Sequence, residues 1–188
     1  MSIPEEVKQT VAYLKKGQLI LYPTDTVWGI GCDATNPDAV KKIYQLKQRI
    51  DSKALICLVA DEHMLKKHIP KVPQIAFDIL AYGETPTTVI YNNPQGLAHN
   101  LVATDQSIAI RVPDDEFCHQ LLQHFDAPIV STSANISGQP TPNSFKEISD
   151  DILKGVDYVV NLHRDKKGSK PSSIIKLDID GTQTIIRK

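Results

Sequence analysis

Two hydrophobic periods alternate along this chain, and that alternation limits its fold more than any other feature. The first stretch is helical: Pro4 at its start, Glu5 and Glu6 in the first turn, Val7, Val11 and Leu14 on one face, and Gly17 beyond the last turn. A strand pattern, Gln18 to Tyr22, follows at once, and a second helix opens on Asn36 as cap and Pro37, with Val40, Ile43, Tyr44 and Leu46 on one face. Further helical patterns cover Gln74 to Tyr82, Asp115 to Phe125, and Ser144 to Leu153, where Ser144 and Glu147 form a capping box. Strand patterns fall between them at Ala54 to Val59, Thr87 to Tyr91, Ser107 to Val112, Pro128 to Ser131 and Val156 to Leu162. The turn in DIDG joins a last strand pair, Ser173 to Asp178 and Thr182 to Arg187, as a terminal hairpin. Interleaved helices and strands with a closing hairpin predict an α/β domain with a mixed sheet, and 188 residues suit one domain spanning 1–188.

Composition removes several functions. The 21 basic and 22 acidic residues leave a charge of −1, which argues against a protein devoted to coating nucleic acid. The longest apolar run, Ala54 to Ala60, is far short of the roughly 20 residues a membrane helix needs, so no membrane partner is expected. The opening MSIPEEVKQT lacks the basic start and apolar centre of a secretory signal, which gives a cytoplasmic protein as the expectation. Cys32, Cys57 and Cys118 are scattered and odd in number, as expected of reduced, buried thiols rather than a disulfide framework or zinc ribbon. GxSxG, HExxH and GxxxxGK[ST] are absent, and the pairs His63/His68 and His119/His124 miss the i, i+4 spacing of a helical metal site. No metal-ligating residues are assigned.

Four segments can carry chemistry. In YPTDTVWGIGCDA, Tyr22 to Ala34, a strand breaks at Pro23 into a hydroxyl-rich turn, although turn chemistry alone would account for Thr24 and Asp25. KQRIDSK gathers Lys47, Arg49 and Lys53 near a helix end, suited either to the helix dipole or to a polyphosphate or carboxylate. In SIAIRVP, strand alternation sets Ile108, Ile110 and Val112 on one face and Ser107, Ala109 and Arg111 on the other. An arginine where a second apolar face belongs opens that side onto a ligand cavity, unless Arg111 forms a surface salt bridge. STSANISG, Ser131 to Gly138, follows the strand ending at Val130 and offers small hydroxyls and backbone N–H groups to anions.

These residues, with PSSII near the C-terminus, resemble the YrdC-type threonylcarbamoyl-AMP synthases from about Gln18 to Arg187. The resemblance implies a YrdC-like twisted mixed β-sheet with flanking helices and a basic concave cavity. It also implies an enzyme that joins L-threonine, bicarbonate and ATP into threonylcarbamoyl-adenylate, releasing pyrophosphate, for modification of a tRNA adenosine beside the anticodon. On this resemblance Thr26, Arg111, Thr132 and Ser172 contact threonine. Lys47, Arg49, Lys53, Ser107, Ser133, Asn135, Pro142 and Arg187 contact the nucleotide, with Lys47 and Arg49 stabilising the departing pyrophosphate. Magnesium is expected as the companion of ATP, held by phosphates and water. tRNA or double-stranded RNA, and other tRNA-modification proteins, are the macromolecular partners implied. The chain departs from the pattern at Trp28, Ile50, Ala54 and YGETPTTVI. The competing readings are a YrdC-like paralogue in carbamoyl transfer and a non-catalytic RNA-binding protein.

Overall fold

A computed structural model describes residues 2–48 and 55–188. Arg49 and Lys53, and the departures at Ile50 and Ala54, lie outside the described residues. The described chain forms helices α1 (Ile3–Leu14), α2 (Pro37–Leu46), α3 (Glu62–His68), α4 (Gln74–Tyr82), α5 (Glu116–Phe125) and α6 (Asp150–Gly155). Its strands are β1 (Ile20–Tyr22), β2 (Gly29–Gly31), β3 (Ile56–Leu58), β4 (Thr87–Asn92), β5 (Ser107–Arg111), β6 (Ile129–Ser133), β7 (Tyr158–Val159), β8 (Ser173–Leu177) and β9 (Gln183–Arg187). Among the described residues these strands make one sheet in the order β7-β1-β2-β6-β3-β5-β4-β8-β9. Pairs β1/β7, β3/β5 and β4/β8 are parallel and the other neighbours antiparallel, so the sheet is mixed.

Local chemistry explains the helix starts. Asn36 accepts the N–H groups of Asp38 and Ala39 at 3.0 and 3.1 Å, and Pro37 fills a first-turn position that needs no donor. Asp115 accepts from Cys118 N–H at 2.9 Å to open α5. Helices α1 and α5 pack together and bury Val7, Leu14, Phe117, Leu121 and Leu122. All five residues of β5 are buried, so this central strand has both faces covered.

Three elements differ from the pattern reading. Ser144 to Leu153 is not one helix: a single 3₁₀ turn, Phe145–Glu147, precedes α6. Glu147 does cap the turn, accepting from Ser144 Oγ and Asn143 N–H at 2.9 Å each, but buried Ile148 takes an extended conformation that breaks the helix. The strand expected over Pro128 to Ser131 runs on through Ser133, because Thr132 and Ser133 pair with Ile30 and Gly29. Helix α3 was not expected, although Asp61 before an apolar pair is its start signal: its carboxylate accepts Met64 N–H at 2.8 Å.

Candidate active site

Strand β2 is short and glycine-rich because a ring and a carbonyl lie against it. A Cβ on Gly31 would stand 2.7 Å from both Tyr22 Cε1 and the Val130 carbonyl oxygen, closer than real Cβ atoms come. Close strand contact here brings the turn after β1 and the hydroxyl-bearing end of β6 to one side of the sheet. There they bound a cavity of about 310 Å³ together with β5, β8 and β9. Thr26, Arg111, Thr132, Ser133, Ser172 and Arg187 all line it. No Asp or Glu belongs to the described lining, which holds two guanidinium groups.

The turn between β1 and β2 is ordered by hydroxyls. Thr24 Oγ1 donates to the Val27 carbonyl at 2.7 Å and accepts Thr26 N–H at 3.1 Å. A hydroxyl carries one proton, so in the 3.0 Å contact between the two hydroxyls Thr26 is the donor. Thr26 Oγ1 in turn accepts from Arg111 Nη2 at 3.4 Å. Its remaining capacity is as an acceptor, which suits an ammonium or a substrate hydroxyl.

Arg111 is buried and paired with Asp25, Nη1 to Oδ1 at 2.5 Å, rather than held in a surface salt bridge. Its cavity placement follows the strand alternation that also puts Ala109 on the lining. Ser172 Oγ shares a hydrogen bond with Thr88 Oγ1 at 2.7 Å, and its carbonyl accepts both Arg187 Nε at 3.0 Å and Nη2 at 2.7 Å. Those two bonds hold the Arg187 guanidinium at the exposed side of the cavity while leaving further N–H donors.

The other anticipated residues stand apart from the lining. Lys47 is buried, and its ammonium donates to the carbonyl oxygens of Ser133 and, at 2.6 Å, Asn135. Ser137 N–H returns to the Lys47 carbonyl at 2.9 Å, so this residue braces the loop after β6 from both ends. Asn135 Nδ2 donates to the carbonyls of Ile136 and Gln139 at 3.0 and 2.8 Å within that loop. Pro142 is buried next to Thr141, and it is Thr141 that reaches the lining. Ser107 shares a strand face with Arg111, yet its hydroxyl donates to Asp105 Oδ1 at 2.5 Å, a bond that holds the Asp105 carboxyl below its usual range.

Sequence reasoning assigned no site role to Thr24, Asp25 or Thr141, nor to the apolar wall of Ile56, Ile90 and Ile174. Thr24 and Asp25 carried a signal that turn chemistry explained equally well. Thr141 carried none, since only the path of the 134–143 loop brings it to the cavity.

Comparison with known proteins gives the arrangement a family. Residues 12–188 match the Sua5/YciO/YrdC family model, described as "Telomere recombination". A relative named threonylcarbamoyl-AMP synthase from Vibrio campbellii is 34% identical over 171 residues, covering 89% of this chain and 91% of its own. The crystal structure of E. coli YciO superposes with a TM-score of 0.85 at 26% identity, covering 98% of this chain and 89% of that one. The Sua5 protein of P. abyssi complexed with L-threonine gives 0.81 at 25% identity, covering 91% of this chain and 50% of that chain. With the family model spanning nearly all the sequence and the same α/β sheet in these relatives, the chain belongs to the Sua5/YciO/YrdC family.

Proposed function

We propose that the protein is a threonylcarbamoyl-AMP synthase, an ATP-using nucleotidyltransferase that converts L-threonine, bicarbonate and ATP to threonylcarbamoyl-adenylate, pyrophosphate and water. The observation that carries this reading is the cavity itself, in which a buried arginine and five buried hydroxyl side chains, Thr24, Thr26, Ser131, Thr132 and Ser172, converge with no carboxylate among the described lining residues. Arg111 offers a planar fork to the threonine carboxylate, and Thr26 offers an acceptor to its ammonium or hydroxyl. Once the amino group has been carboxylated, the new carbamate oxygen attacks the α-phosphorus and pyrophosphate leaves. No side-chain nucleophile is needed: the chain's task is to hold the reactants in line and to meet growing negative charge with fixed cations.

Arg187 faces the same cavity and is the described cation suited to the phosphates. Arg49 and Lys53 are assigned to the phosphates as well, on the family pattern alone. Lys47, bound to backbone carbonyls, acts by fixing Ser133 and Asn135 beside them. Magnesium is assigned as part of the MgATP substrate, held by the phosphates and water. The product is consumed in tRNA modification, with tRNA and other modification proteins as downstream partners.

The test is amino-acid selectivity. Threonine should stimulate pyrophosphate release at least ~10²-fold more than valine, its isostere without the hydroxyl, because valine leaves the site's polar groups unpaired. Equal stimulation by the two would refute the assignment of the hydroxyl-lined end.

A further inference from the structure

Behind Arg111, on the side away from the substrate cavity, stands a carboxylate that the reaction chemistry does not use. Asp25 is 8% exposed and Arg111 4%. One carboxylate oxygen holds Nη1 at 2.5 Å and the other accepts Asp114 N–H at 3.2 Å, so Asp25 is clamped between two points at the end of β5. Only Arg111 of the pair lines the 310 Å³ cavity; Asp25 lines a second one of about 290 Å³, with Pro86, Val112 and Asp114. The ion pair is thus part of the wall between two cavities.

A buried ion pair is a poor source of net stability, since desolvating both charges offsets most of their attraction. What the pair changes is the field at the cavity. An unpaired buried guanidinium would attract any anion, and in an enzyme fed with ATP the abundant anions are phosphates. With a carboxylate in contact behind it, Arg111 keeps its directed N–H donors but presents little net charge. Such a group suits a zwitterion, whose carboxylate takes the fork while its ammonium suffers no cationic field. It does not suit a multiply charged phosphate.

Resting on the proposed function above, we propose that Asp25 is a positioning and specificity residue: it aims Arg111 and cancels its charge, so that the amino-acid end of the cavity selects a zwitterionic amino acid over phosphate. The turn residue acts through Arg111 and touches no substrate.

The experiment measures two affinities by calorimetry, for threonine and for inorganic phosphate added as a competitor of threonine, in the wild-type protein and in Asp25→Asn. The asparagine keeps the shape and removes the charge. The expected result is a fall of about tenfold or more in the ratio of threonine to phosphate affinity, with phosphate binding strengthened in absolute terms. General loosening of the fold would weaken both ligands and cannot give this crossing. A ratio that stays the same or rises overturns the proposal. Should Asp25→Asn not fold, the wild-type protein decides alone: millimolar phosphate must leave threonine binding unaffected, and competition there overturns the proposal. Failure of the wild type to bind threonine at all would instead refute the proposed function.

Discussion

Lys47 shows how far a residue's type can be separated from its obvious use. Its position in a basic run near a helix end suggests either a side chain reaching for phosphate or a cation favouring the helix dipole. In the fold its ammonium donates to the carbonyl of Ser133, the last residue of β6, and to that of Asn135 in the loop beyond. Lys47→Met should therefore cost about 2–4 kcal/mol of stability, because it strips charge-assisted bonds from two backbone oxygens in a buried setting. Urea unfolding of the variant measures this, and an unchanged midpoint would return Lys47 to a purely nucleotide-facing role. Arg111 illustrates the opposite case. Strand alternation alone put it on the cavity side, yet its partner Asp25 was invisible, since a turn 86 positions earlier in the chain supplies it. Thr26, Thr132 and Ser172 were singled out by the family resemblance, and without it were legible only as members of segments. What makes them a site is the sheet order, which no local pattern encodes.

At the scale of elements, caps and periodicity located α1, α2, α4 and α5 and the terminal hairpin, because each is stabilised by contacts close in sequence. The short strand β2 was not legible: three residues long, it exists only because β1 and β6 pair with it on either side, whereas β7, at the sheet edge beside β1, falls inside the strand pattern Val156 to Leu162. The basic segment 163–170 lies next to the turn that holds Thr26. Its lysines and glycine leave it without apolar anchors of its own. The fold supplies anchors at its far end, where Gly168 N–H reaches the Asn143 carbonyl at 2.6 Å and Ser169 N–H the Thr26 carbonyl at 2.7 Å. Arg164 stacks 4.6 Å from the Phe145 ring, which itself packs on Trp28. Those contacts tie the segment to the very turn that holds Thr26, so ligand binding there should order it further. Trypsin cleavage after Lys166 and Lys167 is expected to slow when ATP and threonine are both bound. Identical cleavage rates with and without the ligands would exclude a lid.

For the whole molecule, the three thiols report on the integrity of the core. Burial pushes the pKa values of Cys32, Cys57 and Cys118 well above the ordinary thiol range, so in the folded protein all three stay neutral. In the unfolded chain they ionise near pH 8.5. A raised folded-state pKa contributes stability that is fully present below that pH and is lost as pH rises beyond it. The unfolding free energy should decline above about pH 8.5, by up to ~1.4 kcal/mol per pH unit for each thiol. Urea midpoints between about pH 7 and 10 measure the decline, which must be shallower in Cys57→Ala; a pH-independent midpoint would contradict the burial of these groups.

The sheet whose core those thiols occupy exists, on this account, to bring an amino acid, a one-carbon acid and a nucleotide into one cavity. The measurement that tests this most directly is the mass of the nucleotide product formed from ATP, magnesium, threonine and ¹³C-labelled bicarbonate. The expected product is an adenylate containing both threonine and the labelled carbon, in amounts matching the pyrophosphate released. An adenylate that carries threonine without the label, or nucleotide turnover indifferent to threonine, would contradict it.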